Sequence, residues 1–133
     1  MPPRGRGPVD GTPEVTDPGA ADGPARTVVL VDPAERVFAG HYPGFPIFPG
    51  VCVIEYARLS ALATLPEPGD RWTLAAIEST RFVSPVFPGD TLTTELTWKR
   101  AEDGDAWRCK AVSSTDRGRS AQITLRFAPR GDR

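Results

Sequence analysis

The chain is poor in several residue types that would announce a function. Its 133 residues include two cysteines, one histidine, one methionine and two lysines. Cys52 and Cys109 sit in apolar-patterned segments with no CxxC or Cys/His spacing. That spacing argues against structural zinc and against a disulfide framework, and for reduced, buried thiols. A dominant charge is also missing. Sixteen basic and 17 acidic side chains leave a net charge of -1, so no broad field attracts nucleic acid. No stretch approaches the ~20 apolar residues of a membrane span, and the first residues lack the apolar run of a signal peptide. A cytoplasmic protein is expected, without a membrane or nucleic-acid partner. No internal repeat is visible.

Proline (15) and glycine (13) are abundant, and they are unevenly spread. Residues 1–25 are mostly Pro, Gly, Asp, Ala and Arg, with almost no large apolar side chain to offset the entropy of ordering. They are expected to form a disordered tail. Residues 129–133 read the same way, which leaves a globular unit over 26–128. A unit of this size buries only roughly two thirds of its unfolded surface, so closing a long ligand pocket favours self-association.

Within that unit, Thr27–Val31 (TVVLV) has strand composition and is followed by the turn residues Asp32 and Pro33. The segment His41–Gly50 (HYPGFPIFPG) contains three prolines that cannot donate to a helix or sheet ladder, which predicts a rigid loop. Val51–Leu65 is apolar nearly all round and predicts a buried helix, stopped by Pro66, Pro68 and Gly69. Thr73–Phe82 reads as a strand ending before Pro85 and the Pro88-Gly89-Asp90 turn. Thr91–Lys99 alternates, with Leu92, Leu96 and Trp98 on one face. The same period recurs in Trp107–Thr115 and Ala121–Phe127, joined by hairpin turns at residues 102–105 and 116–118. The fold class is therefore α+β, an antiparallel sheet wrapped around one long central helix.

Three residues stand out chemically. His41 is the only histidine and begins the stiff loop. A lone histidine is ordinarily a surface or satisfied core residue, but imidazole is also the side chain best suited to proton transfer near neutral pH. Glu55 lies about one turn inside an apolar helix, where burial would favour its neutral form and fit it for general-acid work. A local pair with Arg58, three residues on, would instead make it structural. Gly50 at the helix start is either a simple cap or a source of free N–H groups for a developing oxyanion. A base, an acid and an oxyanion donor together suit proton abstraction beside a thioester carbonyl with loss of a β-hydroxyl.

The run His41-Tyr42-Pro43-Gly44-Phe45-Pro46-Ile47-Phe48-Pro49-Gly50-Val51, with Glu55 fourteen residues after the histidine, closely resembles the 3-hydroxyacyl-[acyl-carrier-protein] dehydratases of fatty acid and polyketide biosynthesis. The likeness continues through Ile77–Phe82 and Pro85-Val86-Phe87-Pro88-Gly89-Asp90 to about Phe127. It implies the hot-dog fold. It also implies catalytic roles for His41 and Glu55, which in the family meet across a dimer interface, and an oxyanion N–H from Gly50. By the same likeness, the product is a trans-2-enoyl thioester, and the acyl chain lies beside the helix near Ile47, Phe48 and Val51. No metal or redox cofactor is implied. The expected partners are an acyl carrier protein or another acyl thioester, with Arg81 and Arg100 as candidate docking cations, and a second hot-dog chain. That assembly is a homodimer, a larger oligomer of dimers, or a heterodimer.

The sequence departs from the family in three places. Leu59 replaces the glutamine usual four residues after the acid. Tyr42 replaces phenylalanine. A Pro/Gly tail stands where the family commonly has a folded helix and strand. These departures keep two alternatives open: a non-catalytic or heterodimer-dependent acyl-binding subunit, and a hot-dog thioesterase.

Overall fold

A computed structural model of the chain describes residues 8–19, 23–35, 47–67, 71–102 and 104–130. Six strands and one helix occur among them: β1 (Glu14–Asp17), β2 (Ala25–Leu30), α1 (Gly50–Ala63), β3 (Trp72–Phe82), β4 (Thr91–Arg100), β5 (Trp107–Thr115) and β6 (Gly118–Pro129). The strands form one sheet in the order β1-β2-β4-β5-β6-β3, and every neighbouring pair is antiparallel. The β4-β5-β6 meander follows the period-two pattern. Its hairpins turn at Gly104 and Gly118, whose φ of 92° and 115° are values that side-chain-bearing residues rarely adopt.

One sheet face and one face of α1 enclose the core. Leu92, Leu96, Cys109, Ala111, Ala121, Ile123, Leu125 and Phe127 are fully buried from the sheet side. Cys52, Val53, Tyr56, Ala57, Ser60 and Ala61 meet them from the helix. The small side chains of Ala57, Ala61 and Ala111 let helix and sheet approach closely. Two pairs of buried hydroxyls in this layer satisfy one another: those of Thr27 and Ser60 bond at 2.7 Å, and those of Thr94 and Ser113 at 2.9 Å. Both cysteines are free and buried. Burial pushes the Cys52 thiol up to about 11, helped by the nearby Glu35 charge, and the Cys109 thiol up to about 12.

Three expectations need correction. The segment through residue 25 is not simply a disordered tail, because residues 8–19 run along the helix and the sheet edge. Val9 is buried, β1 pairs with β2, the Gly11 N–H donates to Tyr56 Oη at 3.0 Å, and the Asp10 N–H donates to Glu35 Oε1 at 3.1 Å. Backbone donors and a short ladder hold this strap, so its low content of large apolar side chains was a poor guide. A strand, β1, also stands within the segment expected to be a tail. At the other end β6 continues to Pro129, opposite Trp72, and the Arg130 N–H donates to the Arg71 carbonyl; residues 131–133 lie outside the described set. Third, α1 is not buried all round within one chain, since Val51 is exposed and Ile54, Glu55, Arg58 and Leu62 are only partly covered. Among the described residues no helix is long and apolar enough to cross a membrane.

Candidate active site

The helix start is fixed from both sides. Phe48 forms an isolated bridge with Val86, its N–H donating to the Val86 carbonyl at 2.7 Å. Pro49, extended at φ -63° and ψ 150°, is the N-cap, and its carbonyl accepts from Cys52 N–H at 2.9 Å and Val53 N–H at 3.2 Å. Among the described residues no side chain caps this end, and no acidic residue occupies the first turn. This leaves, among the described residues, the Gly50 and Val51 N–H groups to face an anion, with the positive end of the helix dipole behind them.

Beside this end lies a cleft of about 420 Å³. Ile47, Phe48, Gly50 and Val53 form one wall; Phe82, Val83, Pro85 and Val86 form the other, with Ser84 and Ser120 adding hydroxyls. The second wall is held by the turn into β4. Phe87 N–H donates to Asp90 Oδ2 at 2.7 Å, Val31 N–H donates to the Asp90 carbonyl at 2.8 Å, and the Arg117 guanidinium forks onto the Asp90 carboxylate. Chiefly through the Arg117 hydrogen bonds, that carboxyl is held below its ordinary range.

Three of the expected binding residues, Ile47, Phe48 and Gly50, thus share one apolar cleft. Val51 does not line it and is 60 % exposed. Glu55 lies outside the cleft lining too, on the same outward helix face as Val51, one turn on. Its side chain is 16 % exposed, and both oxygens are engaged: Arg58 Nε donates to Oε1 at 2.9 Å and Arg58 Nη2 to Oε2 at 2.7 Å. The local pair weighed against a buried neutral acid is therefore present. Leu59 packs against the core. His41 falls in residues 36–46, outside the described residues, and so do Tyr42 and the first half of the loop. Among the described residues no group of three His, Cys, Asp or Glu side chains could hold a metal ion.

Phe82 does not stand out in the sequence, yet its ring faces Gly50 across the cleft. A β-carbon at Gly50 would lie 2.7 Å from Phe82 Cζ. The signal was weak because β3 brings Phe82 across from thirty-two residues away. A second unforeseen feature lies behind the helix. Glu35, 4 % exposed, accepts the Tyr56 hydroxyl at 2.6 Å, and Tyr56 stacks on Phe48 with ring centroids 5.6 Å apart. This links the residue entering the 36–46 segment to the helix and to the cleft wall. Burial, then the hydrogen bond to Glu35, raise the tyrosine pKa.

One antiparallel sheet packed on a single central helix is the hot-dog fold. The Escherichia coli PaaI protein shares it with a TM-score of 0.64 at 17% identity, over 82% of this chain and 74% of PaaI, a likeness of fold alone.

The family follows from closer matches. A family model described as ApeI-like, ApeI dehydratase, matches residues 20–121, and the chain belongs to that family. In the solved dehydratase heterocomplex ApeI:P from Xenorhabdus doucetiae, the matching chain is 26% identical with a TM-score of 0.67, over 88% of this chain and 98% of that one. The 3-hydroxyacyl-[acyl-carrier-protein] dehydratase FabZ of Erwinia tasmaniensis is 39% identical over 98 residues, 68% of this chain. The match spans 64% of that relative's length.

Proposed function

We propose that this chain dehydrates 3-hydroxyacyl thioesters borne on an acyl carrier protein, giving trans-2-enoyl thioesters. The observation that carries the reading is the uncapped N-terminus of α1 opening on an apolar cleft, within a segment matched by a dehydratase family model. Thioester carbonyl oxygen accepts from the Gly50 N–H, and the acyl chain rests against Ile47 and Phe48, with Val51 at the rim. His41 takes the C2 proton. The C2–H electron pair becomes the new double bond, the C3–O bond breaks towards oxygen, and Glu55 supplies the proton with which the hydroxyl leaves as water. Return of the proton from His41 to Glu55 resets the site, so in this scheme the Glu55–Arg58 ion pair corresponds to the state left after Glu55 has delivered its proton. The elimination changes no net oxidation state, so it calls for no redox cofactor, and the thioester itself acidifies C2.

The functional unit of this proposal is a pair of chains in the cytoplasm. β3 is a sheet edge exposed from Ile77 to Phe82, and α1 keeps apolar side chains on its outward face. A second copy pairing there would cover both, and by the likeness to the dehydratases His41 of one chain works with Glu55 of the other. The test is turnover of carrier-bound 3-hydroxyacyl substrates by the purified protein. Activity that falls by orders of magnitude in both His41→Ala and Glu55→Gln supports the reading; full activity in both variants, or release of free thiol instead of an enoyl product, rejects it. Turnover only after addition of a different hot-dog chain would replace the homodimer by a heterodimer.

A further inference from the structure

Glu55 is held by a group that the reaction scheme above does not use. Pairs three residues apart on an exposed helix face contribute only a few tenths of a kcal/mol and exchange freely with water. The Arg58–Glu55 contact differs in kind. The carboxylate side is 16 % exposed, and Nε and Nη2 of one planar guanidinium meet its two oxygens at 2.9 and 2.7 Å. A fork of this type fixes the carboxyl plane as well as its position, and leaves each oxygen a second lone-pair site, on one of which the proton to be delivered is carried. Leu59, one residue on, is committed to core packing and offers no polar atom. Among the described residues, the side chain that supports Glu55 stands three residues on rather than four.

We propose that Arg58 is the positioning residue of Glu55, orienting its carboxyl towards the 3-hydroxyl and stabilising the carboxylate that forms as the proton leaves. This rests on the dehydratase reading. The proton passes from the Glu55 oxygen to the hydroxyl oxygen as the C3–O bond breaks, and the negative charge left on Glu55 is met by the guanidinium already in place. The interaction strengthens as charge develops, so it acts on the rate more than on substrate binding. Arg58 itself touches no reacting atom.

Steady-state kinetics of the full chain with a carrier-bound 3-hydroxyacyl substrate test this. Arg58→Ala is expected to lower kcat by about 100-fold with KM little changed, as misplacement of a catalytic group does. Arg58→Lys, which keeps the charge but not the fork, should recover only part of the loss. In the Glu55→Gln background Arg58→Ala should cost nothing more, because it acts through the missing carboxylate. Adding Leu59→Gln to Arg58→Ala should restore part of kcat by supplying a donor at the adjacent helix position. Wild-type kcat in a folded Arg58→Ala protein overturns the inference, as does an equal loss with Glu55 and Gln at position 55. If Arg58→Ala does not fold, Arg58→Lys with wild-type kcat overturns it. These outcomes leave the dehydratase reading standing; a wild-type protein with no turnover, alone or with a hot-dog partner, overturns both.

Discussion

Gly50 has no room for a side chain while Phe82 stays where it is: the added methyl would sit 2.7 Å from the ring. The ring is 52 % exposed, so it can swing away at little cost to the fold. The damage should fall on the cleft. Gly50→Ala is expected to melt near the wild-type temperature while kcat/KM drops by about tenfold, since small displacements at a reacting centre are expensive. Phe82→Ala in the same protein should recover much of the loss, and thermal melts with steady-state kinetics measure both. Tyr56 presents the opposite case, a group that matters to stability. Its hydroxyl donates to Glu35 and accepts from the Gly11 N–H. Tyr56→Phe strips a buried carboxylate of a donor and a backbone amide of an acceptor, which should cost about 1–3 kcal/mol in urea unfolding.

At the scale of elements, the turn into β4 is tied by Asp90 to Arg117 in the β5-β6 hairpin. The folded-state pKa of Asp90 is depressed, chiefly by the Arg117 hydrogen bonds. Its contribution is therefore present above the unfolded carboxylate pKa of about 3.9 and fades as pH falls through the lower folded value. Asp90→Asn should be less stable than wild type at pH 7, with the difference shrinking towards pH 2, as read by denaturant midpoints. The strands β4, β5 and β6 were legible because each lays alternate residues on the core, Leu92 and Leu96 or Cys109 and Ala111, and a period of two survives in the sequence. The strap was not legible, because Asp10 and Gly11 are held through backbone N–H groups that no side-chain pattern records. The cleft was half legible. Ile47, Phe48 and Gly50 stand together in one motif, whereas Phe82 and Ser120 arrive from β3 and β6 through pairings that only the folded sheet defines.

At the scale of the whole molecule, the sheet formed by the described strands has two unlike edges. β1 is four residues long with an irregular register, which discourages further pairing. β3 is eleven residues long, carries exposed Ile77 and Phe82, and continues into exposed Val83. An edge of that length with apolar side chains is a ready template for a second chain. Pairing there predicts a particle of twice 14.3 kDa by light scattering, and Ile77→Lys should shift it towards the single chain. Mixing gives a sharper test of where the site lies. If His41 of one chain works with Glu55 of its partner, a dimer of one His41→Ala chain and one Glu55→Gln chain holds one site with both defects and one site with neither. Random assembly of equal amounts makes half the dimers mixed, so activity should return to about a quarter of wild type from two inactive proteins. Sites internal to one chain would give no recovery, whatever the ratio of the two variants.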